Sequence, residues 1–369
     1  MSNKSIGVVQ LQIYLFLIAF LLITAFICKS LISDNKKAEK TILKIGILAI
    51  FLILSLKKET VGIDIIGYKE QYLISQFKSW ENVDYVYFET GYIQLMKLFS
   101  KAGISFQWFT VFIYALLCTA LYFFIKTVSE NVTMSLLIFI CFQFFVFSIS
   151  GLRQTIAMSL CMLAYLALKR SDKIINLFIA IGIVLIAFSI HRSAIVFLPV
   201  LGLACSKKTK INIVPYIVGM IISFFARGRI LQYISDIFDT DKTNTQIELG
   251  GAFIFTVLTV LFSYFLVTAN YNVKNDIANK NVHMITGIKV LMFSIACSVL
   301  FSGSTLLRAA AYPNLFIMAC IPNAPGFLGN KGERNVVNFV FGVFFIVLFV
   351  LEALIPNQLE ICPYKFFWQ

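Results

Sequence analysis

Apolar runs separated by short polar joints recur along the whole chain, and no other feature limits its fold so tightly. They lie at about 6–28, 42–56, 104–125, 132–149, 154–168, 174–190, 193–204, 211–226, 251–269, 285–301, 308–321 and 336–355. Roughly 20 consecutive apolar residues cross the hydrocarbon of a bilayer as a helix. The expectation is an all-α integral membrane protein of about twelve transmembrane helices, forming a single polytopic domain over residues 1–369. The runs 154–168 and 193–204 are short for a simple crossing. They read as tilted, broken or extended by their polar ends, and non-helical backbone at membrane depth is tolerated only where it lines protein or a watery cavity.

Composition agrees with the runs. The chain is 59% hydrophobic and 13% charged, with a mean hydropathy of +0.87, where a soluble domain carries about 25% charged residues. In that setting a net charge of +13 is not a nucleic-acid signal, and no nucleic acid is expected as a partner. Of the eight cysteines, those at 28, 118, 141, 161, 205, 297 and 320 lie within or beside apolar runs, where cysteine behaves as a small hydrophobe. No pair has metal-ligand spacing, and His191 and His283 are far apart. No metal site and no cofactor is expected. The first run lacks a small-residue cleavage site and reads as a retained span.

Lysine and arginine in alternate joints set the orientation. One set of joints (29–41 with Lys44, 126–131, 169–173, 205–210, 270–284 and 322–335) holds sixteen basic residues against six acidic ones. The other set holds fourteen against eleven over many more residues. The first set is therefore expected in the cytoplasm, with Lys36, Lys37, Lys207, Lys208 and Lys210 among its charges. Both termini then lie outside. A long external loop, about 57–103, separates the second and third spans, and a second external loop covers about 227–250.

The short external turns hold arginine instead: Arg153, Arg192 and Arg308, with Arg227 and Arg229 opening a longer loop. A poorly paired arginine at helix depth costs up to ~3 kcal/mol on insertion scales, and its planar fork suits bidentate binding of phosphate or carboxylate. Two readings stand for each: a side chain tied to a backbone carbonyl or snorkelling to the interface, or a wall of an outward-facing anion site. Arg153, in "SISGLRQTIAMSL", has no acidic residue within ten positions on either side. His191, beside Arg192 in "FSIHRSAIVFLP", is either a packing residue at a helix end or a base whose pKa lies near working pH. Asp64 in "VGIDIIGY" and Glu89 in "YFETGY" lie among aromatics, including Tyr68 and Tyr92. They are either solvated acids or carboxylates that hold sugar hydroxyls. The more dispersed acids Asp236, Asp239, Asp241 and Glu248 read as a solvated loop.

The stretch "SGLRQTIAMSL" resembles the hallmark of the EpsG-like family of bacterial exopolysaccharide and O-antigen polymerases, often called Wzy. "VGIDIIGY", "FETGY", "HRSAIVFLP", "LLRAAAY" and the tail "CPYKFFW" follow in the family's order, from about residue 61 to the C-terminus. Thr90 stands where proline is expected, and Ile63 where a small polar residue is common. The resemblance implies a GT-C-like glycosyltransferase that moves a growing glycan from undecaprenyl pyrophosphate onto a lipid-linked repeat unit. The site would face the exterior of the bacterial cytoplasmic membrane. It carries catalytic roles onto His191, Arg153, Glu89 and Asp64, and pyrophosphate or glycan binding onto Arg153, Gln154, Arg192, Arg308, Tyr68, Tyr92 and Arg227. The implied partners are undecaprenyl-pyrophosphate-linked oligosaccharide, membrane lipid and a chain-length regulator protein. An O-antigen ligase and a flippase or exporter of lipid-linked oligosaccharide are the rival classes. An exporter needs charge along a path through the spans, and Lys289 and Glu352 are the charges lying deep in these runs.

Overall fold

A computed structural model describes residues 12–83, 87–206, 211–238, 250–270, 282–302 and 305–369. The start of the first apolar run, Lys207, Lys208 and Lys210, and the acidic Asp239, Asp241 and Glu248 lie outside the described residues. Among those described, regular structure is helical, with one isolated bridge between Lys57 and Phe366. The helices used below are α1 (Gln12–Leu31), α2 (Asn35–Ser55), α3 (Ile65–Ser75), α4 (Thr90–Lys101), α5 (Phe106–Val128), α6 (Val132–Cys141), α7 (Phe144–Ser150), α8 (Leu152–Lys169), α9 (Ile174–Ile190), α10 (Phe197–Cys205) and α11 (Val214–Phe238).

Five described helices are long and apolar enough to cross a membrane: α1, α5, Val214–Tyr233 within α11, Val282–Phe301 and Lys331–Phe349. A sixth crossing is available if α6 and α7, bent by 49°, act as one. The bend falls at Gln143, whose φ of 56° is left-handed. Both halves of the pair are almost wholly buried, so protein surrounds this irregular backbone, as membrane depth requires. The run 308–321 is likewise broken into short buried turns, Ala311–Asn314 and Ile317–Cys320. The run 193–204 divides into a 3-10 turn, Arg192–Val196, and α10.

Packing follows the rules of lipid rather than water. Helix α9 turns Ala180, Val184 and Ala187 inward and leaves Phe178, Ile179, Leu185 and Ile186 exposed. Small residues inside and large apolar ones outside allow close helix approach without a hydrophobic drive between helices. Gly46 does the same for α2, since a Cβ there would lie 2.6 Å from Leu136 Cδ1 and 3.3 Å from Leu21 Cδ1. Asp34 caps α2 by accepting from the Lys36 and Lys37 amides, a contribution of about 1 kcal/mol. Glu39 then accepts from Lys29 Nζ at 2.8 Å and from the Val132 amide at 2.9 Å, joining α1, α2 and α6.

The chain divides into two compact units. The first comprises residues 1–127, 131–195 and 341–369, and the second 128–130 and 196–340. In the first, the C-terminal tail straps the segment after α2. Phe367 and Lys58 exchange backbone bonds with Leu56 and Lys365, and the Gly62 and Ile63 amides donate to Glu360 and Leu359. Tyr14 Oη donates to Ile361 O and Tyr364 Oη to Ile53 O. The second unit has a small core of Leu231, Cys297, Phe301 and Ala309. There Ser294 donates to Asn314 at 2.7 Å, and Arg227 Nη2 donates to the Ser302 carbonyl.

Candidate functional site

Two glycines assemble the candidate site in the first unit. Gly91, in the first turn of α4, touches the end of α9, and a Cβ there would lie 2.4 Å from Ser189 Oγ and 2.7 Å from Ser189 O. That approach sets Glu89, the residue before α4, against His191, the residue after α9. Gly62, at φ +107°, presses against the turn between α7 and α8, where a Cβ would meet Ile149 O at 3.0 Å and Ser150 Cα at 3.2 Å. It sets Asp64 beside Ser150, whose hydroxyl accepts from the Asp64 amide at 3.2 Å and donates to Asp64 Oδ2 at 3.3 Å. The chain then passes Gly151 and enters α8, with Arg153 in its first turn.

Glu89 is the hub. Arg153 Nη1 donates to its Oε2 at 2.5 Å. Its Oε1 lies 3.1 Å from His191 Nδ1 and accepts the Arg192 amide at 3.1 Å. Arg153 Nε donates to Tyr68 Oη at 3.2 Å, and the guanidinium carbon lies 4.4 Å from the centre of the Phe88 ring. Rings of Tyr68, Phe88 and Tyr92 pack pairwise at 5.2–5.7 Å between centroids, forming an apolar wall behind the charges. The side chains of Arg153, His191 and Glu89 are 21%, 17% and 11% exposed, so the cluster is sheltered yet open to a ligand.

Burial and neighbouring charges act on each group differently. Burial alone would raise the Glu89 pKa. The His191 hydrogen bond, the Arg153 and His191 charges and the Arg192 amide outweigh it and hold the carboxyl at about 2. Glu89 is thus a permanent anion whose oxygens are already engaged, which suits an anchor and not a proton acceptor. Burial raises the Tyr68 phenol, with Arg153 opposing, and it stays protonated. In its neutral form an imidazole that donates Nδ1–H to a carboxylate keeps its lone pair on Nε2, and in that form His191 offers Nε2 as an acceptor. Arginine has five N–H donors, and those on Nε and Nη1 bonded here leave Nη2 for a ligand.

The structure brings Asp64, Tyr68, Glu89, Tyr92, Arg153, His191 and the Arg192 amide together. Asp64 is exposed and reaches the group through Ser150. Gln154 is buried in the first turn of α8, and the Arg192 side chain is exposed. Arg227 and Arg308 belong to the second unit, where Arg227 is buried and Arg308 exposed. Sequence reasoning treated Arg153 as isolated from acids, and the fold instead supplies Glu89 from 64 residues away. It also passed over Phe88 and Ser150. Their signal is local: Phe88 opens "FETGY" and Ser150 opens "SGLRQTIAMSL". Among the described residues no group of His, Cys, Asp and Glu could hold a metal ion.

No curated protein and no solved structure was found to match the chain. A family model does match, over residues 40–366, and so covers most of α2, the whole cluster around Glu89 and the C-terminal tail as far as Phe366. The chain belongs to the EpsG family, and membership suggests a polysaccharide polymerase of glycosyltransferase type embedded in a membrane by its apolar helices.

Proposed function

We propose that this protein transfers a growing glycan from undecaprenyl pyrophosphate to a hydroxyl of a lipid-linked repeat unit at the outer face of the bacterial cytoplasmic membrane. In this reading it is GT-C-like, its remaining apolar helices complete about twelve crossings, and segment 57–103 lies outside. One observation carries the reading: a single carboxylate, Glu89, holds a guanidinium on one oxygen and an imidazole on the other. The acceptor oxygen attacks the anomeric carbon of the donor. The bond from that carbon to the pyrophosphate oxygen breaks, and the acceptor proton passes to His191 Nε2. The departing pyrophosphate takes the bonding pair and is stabilised by Arg153, the kind of electrostatic contribution that is commonly the largest in catalysis. With neutral His191 the Arg153 and Glu89 charges cancel. Proton arrival makes the cluster cationic as the leaving group becomes more negative, so the two events support each other.

Two experiments test the reading. A deletion strain should carry single repeats on the usual acceptor, and complete loss of glycan would indicate a ligase or flippase instead. In spheroplasts of a strain whose protein lacks native cysteines, Ser79→Cys should react with an impermeant thiol reagent and Ser171→Cys should resist it. The reverse labelling pattern would place the site on the cytoplasmic side.

A further inference from the structure

A cavity of about 390 Å³ opens beside α3, further along the helix than Tyr68, within the span of small-molecule sites, roughly 300–1,000 Å³. Tyr68 contacts Arg153, while Lys69, Tyr72 and Leu73 of the same helix and Gln76, the residue after it, line the cavity. The opposite wall is the turn between α4 and α5. Gly103, at φ +76°, lets the chain reverse after α4, with its amide donating to Ser100 O and that of Ile104 to Phe99 O. Tyr72 Oη donates to Ile104 O at 2.7 Å, pinning this turn to α3. The Tyr72 ring stacks on Phe109 at 4.9 Å, and Phe109 lies 6.2 Å from Tyr92. Packed rings thus join the cavity wall to the site.

The lining selects a ligand class. Lys69 is paired with Glu59, so the two charges of the wall cancel each other. That balance disfavours a phosphate and equally an amine. The carboxamide of Gln76 makes no side-chain hydrogen bond among the described residues. Gln107 spends its Nε2 on Ser55 O at 2.6 Å and keeps Oε1, and the Ser105 hydroxyl accepts only a long 3.5 Å bond from the Trp108 amide. Between these groups Leu73 and Ile104 are 49% and 37% exposed. Uncharged donors and acceptors set around an apolar patch match a pyranose ring, which presents hydroxyls at its rim and C–H bonds on its face.

We propose that this cavity is a saccharide subsite that holds a neutral sugar residue of the glycan being extended, separate from the pyrophosphate end at Arg153. The assignment rests on the polymerase reading for its biological ligand, but its binding test does not. Full-length protein in lipid nanodiscs is titrated with neutral oligosaccharides released by mild acid from the cell's own polysaccharide. Wild type should bind them. Gln76→Ala should weaken binding about tenfold, the scale of a lost hydrogen bond, and Gln76→Trp should abolish it by filling the space. Arg153→Lys should bind the fragments as wild type does, and inorganic pyrophosphate should not displace them. With lipid-linked repeat units, Gln76→Ala should make shorter chains than wild type. No binding by wild type, equal affinity in both Gln76 variants, or displacement by pyrophosphate would each overturn the subsite. If wild type does not extend lipid-linked units while fragment affinity still depends on Gln76, the polymerase reading falls and the subsite stands. Polymerisation with Gln76-independent binding removes the subsite alone.

Discussion

Arg153 and Arg227 occupy similar places in the sequence, each at the edge of an apolar run, and the fold treats them differently. Arg227 is buried, at 6% exposure, and gives Nη2 to the Ser302 carbonyl. Arg153 keeps 21% of its side chain open, pairs with the Glu89 carboxylate and lies over the Phe88 ring. Lys97 follows the Arg227 pattern, donating to the carbonyls of Ser79, Trp80 and Asn82. A carbonyl tie gives a buried cation one acceptor and holds a turn. A carboxylate that also holds an imidazole does more, because it joins the cation and the ring in one hydrogen-bonded network. The acceptor differs between the two arginines, a carbonyl for Arg227 and a carboxylate for Arg153.

The largest expected effect lies on the imidazole that shares Glu89 with Arg153. His191→Gln keeps shape and one hydrogen bond to Glu89 but cannot accept the acceptor's proton, and loss of a general base costs ~10²–10⁴-fold in rate. Donor affinity should stay near that of wild type, because Arg153 is untouched. Single-turnover extension of lipid-linked donor, measured beside donor binding, checks both. A rate within a few-fold of wild type would make His191 a packing residue and reduce the contrast with Arg227 to one of exposure.

Next come the arginines themselves. Arg153→Lys keeps the charge but loses the fork that reaches Glu89, Tyr68 and a ligand together. Its polymerisation rate should fall about 10²-fold, the scale of one lost oxyanion donor, at normal protein level. Arg227→Lys should instead lower the folded yield and leave the rate per folded molecule nearly unchanged. Quantified extension normalised to folded protein separates the two, and equal rate losses would erase the distinction.

Hydropathy is the part of this architecture that a sequence displays, since transfer free energy belongs to each side chain. It marks α1, α5, Val282–Phe301 and Lys331–Phe349 as membrane helices without a structure. The same measure cannot see that the run 132–149 bends at Gln143 or that 308–321 breaks into single turns, because those breaks depend on buried partners for the backbone. Within the site, the motifs display Glu89, Arg153 and His191 individually. Their meeting depends on Gly91 against Ser189, a close approach that leaves no periodic trace. Isolation along the chain was therefore a poor guide to isolation in space for Arg153.

A smaller effect belongs to acid stability. The ordinary Glu89 pKa of 4.5 falls to about 2 in the fold. A lowered carboxyl pKa stabilises the native state fully above the unfolded value, and that stability is lost as pH falls through the folded one. Between pH 4.5 and 2, wild type should lose stability more steeply than Glu89→Gln, which has no carboxylate to protonate there. Acid unfolding of the two proteins in one detergent, followed by circular dichroism, measures the difference. Superimposable profiles would mean that the pairing with Arg153 and His191 adds nothing to the fold.

The smallest expected effect separates the two acids as the first comparison separated the two arginines. Glu89 spends both oxygens on Arg153, His191 and the Arg192 amide, whereas Asp64 is exposed and shares its side chain with the neutral hydroxyl of Ser150. Asp64→Asn keeps an oxygen able to accept from Ser150 and removes only the charge. Charge on an exposed group is screened by water and salt within ~10 Å at ordinary ionic strength, so Arg153 and the departing pyrophosphate should feel the change weakly. The extension rate should therefore change by less than about tenfold, consistent with one hydrogen bond to a sugar hydroxyl at most. A loss of 10² or more, with donor affinity intact, would mean that Asp64 contacts the acceptor hydroxyl directly. The proton would then travel to Asp64, His191 would serve to hold Glu89, and the site would run on two carboxylates of unequal freedom.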